Sequence, residues 1–187
     1  MIQKFTIEAV GRSAGVFNPE KLLWLNAHYI KTGNPQRLGE LLLPFLMKQG
    51  VDISKGPDLC SVIKTLQERA RTMIEMAAGA EFYYRSDFAY DPQAAEKFLK
   101  PEILPLYEAV QVRLDELENF CHQGIEEIFK IICEEKGIKM GQLGPPVRIA
   151  LCGGTISPSI FEVIEVLGKK ETVTRIKRAM DYINTKC

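Results

Sequence analysis

Arg148 is the only charged residue in the apolar run PPVRIALC, residues 145–152. Gly153-Gly154 follows, and Ser157-Pro158 opens a further apolar stretch that carries Ile160 and Phe161. A guanidinium presents a planar fork of donors that can both hydrogen-bond and stack. A helix starting at Ser157 would offer unpaired backbone N–H groups and a partial positive charge, suited to a phosphate or a base carbonyl. Ile160 and Phe161 would add apolar contact to an unstacked base. The same residues also fit a plain helical hairpin, with Ser157 as cap, Arg148 snorkelling to water and Phe161 in the core.

The remaining reactive residues form no catalytic constellation. There is no GxGxxG and no Walker loop, and Gly153-Gly154 alone makes no phosphate loop. The chain has two histidines, His28 and His122. His122 follows Cys121, but adjacent helical side chains point about 100° apart, so the two make no dyad. Glu126-Glu127 and Glu134-Glu135 have Lys130 and Lys136 nearby and read as exposed helix surface. The five cysteines are widely spaced and include no CxxC, which indicates neither a zinc site nor a disulfide framework. A reducing, cytoplasmic compartment fits this usage.

The elements that must position Arg148 and its neighbours are helices. The 187 residues are 46% hydrophobic and 26% charged, an ordinary globular composition that excludes a disordered chain. No apolar run approaches the roughly 18 residues of a membrane span, and the N-terminus lacks a signal-peptide core. The spacing predicts helices over 19–31, 35–49, 58–78 and 92–99, then around 106–119 and 120–136. Leu22, Leu25 and Tyr29 form the stripe of the first, and Leu38, Leu41, Leu42, Phe45 and Leu46 point inward on the second. Leu66, Met73 and Ile74 are expected inward on the third, with Arg69 and Thr72 on its other face. The aromatic stretch from Glu81 to Asp91 reads as a packed connection between two helical subdomains. Residues 140–151 are expected to break at Pro145-Pro146; Ser157 then caps a helix to Leu167, and a last helix spans 170–184. No period-2 alternation or hairpin turn appears, so the fold class is all-α.

The zero net charge hides an asymmetry. Residues 136–187 hold nine basic and four acidic side chains, against 15 and 20 in residues 1–135. A basic C-terminal third suggests an anionic partner, but from charge alone a solvated helix face is the favoured reading, because Lys169 to Arg178 lie on one helical segment.

Three segments carry a resemblance. FNPEKLLWLNAHYI resembles the F-x-x-x-K-L-x-W-L-N-x-x-Y-I segment of bacterial glutamyl-tRNA synthetases. LQERARTMIEMAAGAEFYY resembles the family's Thr-(Leu/Met)-x-Glu-Met helix and its aromatic cluster. GIKMGQLGPPVRIALCGGTISPSIFEVIEVLGKKETVTRI resembles the family's end segment, K-x-G-x-(7)-R-x-A-L-T-G-x-x-x-(S/T)-P. Cys152 stands where that pattern has Thr. Neither class I catalytic motif, His-Ile-Gly-His or Lys-Met-Ser-Lys-Ser, is present. The chain therefore resembles the C-terminal anticodon-binding half alone, and Met1 would be a truncated start.

The resemblance implies two consecutive helical-bundle subdomains that cage the anticodon loop of tRNA(Glu). They would be residues 1–86, with the end of a stem-contact region at the N-terminus, and residues 87–187. It implies a monomer, no cofactor in this chain, and ATP and Mg²⁺ for the full-length ligase. By resemblance, Arg148 stacks on or hydrogen-bonds an anticodon base. Ser157 and Pro158 meet the first anticodon base, and Ile160 and Phe161 lie next to it. Arg69 reads the third base, with Arg71 two residues away. The alternative is a stand-alone helical module that binds protein.

Overall fold

A computed structural model describes residues 6–9, 11 and 15–186. Met1 and Cys187 lie outside that set, and the expectations that concern them stay with the sequence. Among the described residues there are nine α-helices and no strand, so the all-α expectation holds. No helix there is long and apolar enough to cross a membrane.

The first four helices are α1 (Pro19–Lys31), α2 (Pro35–Lys48), α3 (Leu59–Leu66) and α4 (Met73–Tyr84). Asn18 and Asn34 cap α1 and α2 with their side chains, and a proline occupies each first position. α2, α3 and α4 pack on one another through Leu42, Leu46, Ile63 and Met76, all fully buried. The stripe on α1 behaves differently. Only Ile30 is buried there, and Leu22, Trp24, Leu25 and Tyr29 are exposed; Leu41 of α2 is also exposed.

The single helix expected over 58–78 is two. α3 ends at Leu66, and the Gln67 side chain turns across to donate to the carbonyls of Ile30 and Gly33, both at 2.9 Å. Asn26 of α1 donates to the Arg71 carbonyl. Thr72 then caps α4 by accepting from Glu75 N, while the Glu75 carboxylate accepts from Arg71 N at 2.7 Å. This is close to the reciprocal Thr-x-x-Glu cap, a start signal that outranks the apolar periodicity running through it. Arg69 therefore sits in the turn between the helices, not on a helical face with Thr72. Ile74 is exposed rather than inward. α4 runs on to Tyr84, so the front of the aromatic stretch is helix and only 85–91 is a connection.

The rest is α5 (Pro92–Phe98), α6 (Leu104–Glu116), α7 (His122–Lys136), α8 (Met140–Cys152) and α9 (Ile160–Lys186). α6, α7 and α8 pack around α9, and α3 also touches α9. Two boundaries differ from expectation. α8 continues through Pro145 and Pro146, because they lie in its second turn. The carbonyls they leave without a donor belong to Gly141 and Gln142, which are exposed to water. Ser157 does not start α9. The Ser159 carbonyl accepts the first helical bond, from Val163 N, because the Ser157 hydroxyl is engaged elsewhere. Gly168 breaks α9 at φ 76°, where the sequence placed a stop.

Two arginines hold the connection 85–91 against α8 and α9. Arg175 is 1% exposed and donates to Leu151 O at 2.6 Å and to Arg85 O at 3.2 Å, with Glu171 on its Nε at 2.7 Å. Arg178 donates to the carbonyls of Ser86 and Phe88 and stacks on the rings of Phe88 and Tyr90. Lys169 donates to the carbonyls of Asp115 and Leu117. With Arg148, which bonds the Ser157 and Pro158 carbonyls, four of the nine C-terminal cations are thus spent inside the fold rather than on a basic surface. Gly153, at φ 78°, completes the junction: its carbonyl accepts from Asp91 N, and a Cβ there would lie 2.8 Å from Phe88 and 2.9 Å from Ala89 O.

Arg175→Met keeps the apolar stem and removes the donors. The buried Leu151 carbonyl then loses its partner at about 1–3 kcal/mol, and the half-buried Arg85 carbonyl loses its partner at less. A loss of about 2–4 kcal/mol is expected, read as a lower urea midpoint with an unchanged m-value.

Candidate nucleic-acid interface

The connection 85–91, the α3–α4 turn and the loop after α8 surround a cavity of about 630 Å³. Leu66, Arg69, Ala70 and Phe82 line it from the first side. Phe88 and Ala89 come from the connection, and Cys152, Ile156, Ser157 and Pro158 close the far wall. Arg69 is exposed, and its guanidinium has no protein acceptor among the described residues. Arg71 does not line this cavity, which separates the two arginines that sequence left two positions apart.

Arg148 stands behind the far wall. Its Nη1 donates to Ser157 O at 3.1 Å, to Pro158 O at 2.6 Å and to the Ser157 hydroxyl, so one nitrogen fixes the course of the loop. Ser157 and Pro158 are buried as a result. Burial pulls the Arg148 guanidinium below its ordinary value; Cys152 opposes this, and the like charge of Arg69 adds to it. Arg148 does not itself line the cavity, whose charged lining is Arg69 and Arg85 together with the carboxylates Glu75, Glu81 and Asp87.

Ile160 and Phe161 do not line the cavity. Ile160 is buried in the core. Phe161 packs edge-on against Phe129 at 5.4 Å and His122 at 5.7 Å. In their place Ile156 reaches the rim at 91% exposure, an apolar residue that the sequence reading passed over. Its signal is an isolated aliphatic residue in the loop Gly153-Gly154-Thr155-Ile156. No group of three or more His, Cys, Asp or Glu side chains able to hold a metal ion occurs among the described residues.

The anticodon binding domain family matches residues 37–180 of the chain. The chain belongs to that family. The glutamate–tRNA ligase of Geotalea uraniireducens is 63% identical over 183 residues, covering 98% of this chain and 39% of that protein. That of Geobacter sulfurreducens is 60% identical with the same coverage. The crystal structure of a glutamate tRNA ligase from Elizabethkingia meningosepticum, in complex with its amino acid, superposes with a TM-score of 0.83 at 25% identity. It covers 97% of this chain and 36% of that one. The chain thus spans about two fifths of the length of the curated relatives it matches. The resemblance to the anticodon-binding part of these ligases is borne out, and the stand-alone module is not supported.

Cys152, where the family pattern has Thr, lies on the cavity wall. Burial pushes its thiol up to about 11, against a Ser157 hydrogen bond and the charges of Arg148 and Arg175. It should react with a thiol reagent at pH 8 more slowly than Cys60 or Cys121, checked by mass spectrometry of partially labelled protein. The unfolded thiol ionises at its lower, ordinary value. The stabilising contribution is therefore full below that value and is lost as pH rises toward 11. Cys152→Thr should flatten the alkaline fall in urea midpoint relative to the unaltered chain.

Proposed function

We propose that this chain recognises the anticodon loop of tRNA(Glu), as the anticodon-binding part of a glutamate–tRNA ligase. The observation that carries the reading is the cavity between the two halves of the chain, with unpaired Arg69 on one side and the Ser157-Pro158 loop on the other. It is large enough to take a base splayed out of a single-stranded loop, the form in which RNA sequence is read. The two subdomains, residues 1–86 and 87–187, then cage the loop, in a monomeric cytoplasmic protein. Ligation itself, with glutamate, ATP and Mg²⁺, belongs to the larger remainder of such a ligase.

The roles divide by geometry. Arg69 presents donors only, which suit the O2 and N3 acceptors of a cytosine at the third anticodon position. Ser157 and Pro158 meet the first base. Arg148 holds them in place with Nη1, and we assign its remaining donors to a base. Ile160 and Phe161 seat the loop on the core, and Phe161 does so through Phe129.

Arg148→Ala should weaken binding of a tRNA(Glu) transcript by about 1–3 kcal/mol and reduce preference for Glu-type anticodons. Lys177→Ala, at an exposed site on α9, should weaken all sequences alike and by less. Equal losses in a filter-binding titration at fixed salt, with preference intact, would remove the base-reading role.

Arg69→Gln should relax discrimination between C-ending and G-ending anticodons without abolishing binding, because glutamine carries both a donor and an acceptor. Arg71→Gln should leave that ratio unchanged. The reverse outcome moves the reading role by two residues.

A further inference from the structure

Beside the cavity lies a second, smaller hollow of about 200 Å³, lined by Trp24, His28, Lys31, Gln67, Arg69 and Arg71 among others. Arg69 borders both spaces, so the hollow continues the surface of the larger site. On α1, Lys21, Trp24, His28 and Lys31 fall on one face at helical spacing. Leu22, Leu25 and Tyr29 fall on a neighbouring face. The aromatic and basic side of the helix is therefore distinct from its apolar side. Trp24 is 65% exposed and lies stacked against His28, with ring centroids 6.0 Å apart and an interplanar angle of 17°. An indole held parallel to an imidazole on a helix keeps its orientation and leaves its outer surface open. Arg71 gives its backbone N–H and carbonyl to Glu75 and Asn26, and its guanidinium has no protein acceptor among the described residues. Lys31 is paired with Glu68 at the edge of the hollow.

We infer that this hollow is a second RNA-contact site, where the strand leaving the anticodon cavity stacks a base or ribose on Trp24 and sets a phosphate against Arg71. The inference rests on the tRNA reading above. An aromatic platform flanked by free guanidinium groups is the arrangement that holds single-stranded nucleic acid without reading its sequence. Continuity through Arg69 and the two unpaired cations select a polyanionic strand over an apolar partner. The site would therefore supply affinity, while the larger cavity supplies discrimination.

Trp24 is the only tryptophan of the chain, so its fluorescence reports on this site alone. Titration of the full chain with a tRNA(Glu) transcript, and separately with its anticodon stem-loop, should quench that emission with the same midpoint as filter binding. Trp24→Ala should weaken binding about tenfold or more, with an unchanged ratio between matched and altered anticodons; Trp24→Phe should restore most of the loss. Arg71→Gln should lower the slope of log affinity against log salt by about one. Thermal melts of each variant accompany the titrations, and because both side chains are exposed the melting temperature should stay put. Unquenched fluorescence together with wild-type affinity in Trp24→Ala overturns the second site and leaves the anticodon reading standing. A change of oligomeric state in Trp24→Ala without a change in RNA affinity assigns the face to protein contact and also overturns it. Absence of tRNA binding by the unaltered chain overturns both.

Discussion

The bonds from Arg175 and Arg178 to main-chain carbonyls are the constraint on which the site depends. Arg175 ties the end of α8 to the start of the connection through Leu151 O and Arg85 O. Arg178 ties the middle of that connection through Ser86 O and Phe88 O. Both guanidiniums lie over the Phe88 ring, so one aromatic side chain is held by two cations and walls the cavity. With the packing of α3 on α9 and the Asp91–Gly153 main-chain bond, these bonds fix the α3–α4 turn relative to the loop after α8.

Sequence made most of the helices legible, because Asn18, Asn34, Asp91 and Gly137 punctuate them with strong capping chemistry. It also singled out Arg148, Ser157 and Pro158 as a group, and they meet in space. What it could not show was long-range. The break between α3 and α4 depends on Gln67 and Asn26 bonding 34 to 45 residues away in sequence. The continuity of α8 depends on Gly141 and Gln142 facing water, a property of burial rather than of order. Arg175 and Arg178 looked like part of a charged helix face because nothing local distinguishes a cation that meets a carbonyl from one that meets solvent. Ser157 looked like a cap because Ser-Pro is a cap signal; Arg148 claims the hydroxyl nine residues away.

The same contrast separates the apolar residues. Sequence leaves Phe161 either a base contact or core, and its edge-on packing with Phe129 and His122 puts it in the core. Ile156 carries no periodic signal and stands in the open at the rim. Exposed aliphatic surface beside a buried serine and proline is what an unstacked base would cover, at about 25 cal/mol per Å² of apolar area removed from water. The loop is held rigidly enough by Arg148 that Ile156 meets a ligand without first losing much conformational freedom.

The arginine bonds to carbonyls differ from surface charge pairs in how they answer to salt. Mobile ions screen exposed charges over about 8–10 Å, yet they reach a guanidinium enclosed by main chain and aromatic rings poorly. On the proposed reading, raising ionic strength would strip a polyanion from Arg69 and Arg71 while the clamp on residues 85–91 stays closed. A cavity that keeps its shape when emptied would let the proposed ligand leave and return without refolding the walls. An interface built this way separates the charges that hold the ligand from the charges that hold the receptor, and each can be altered without the other.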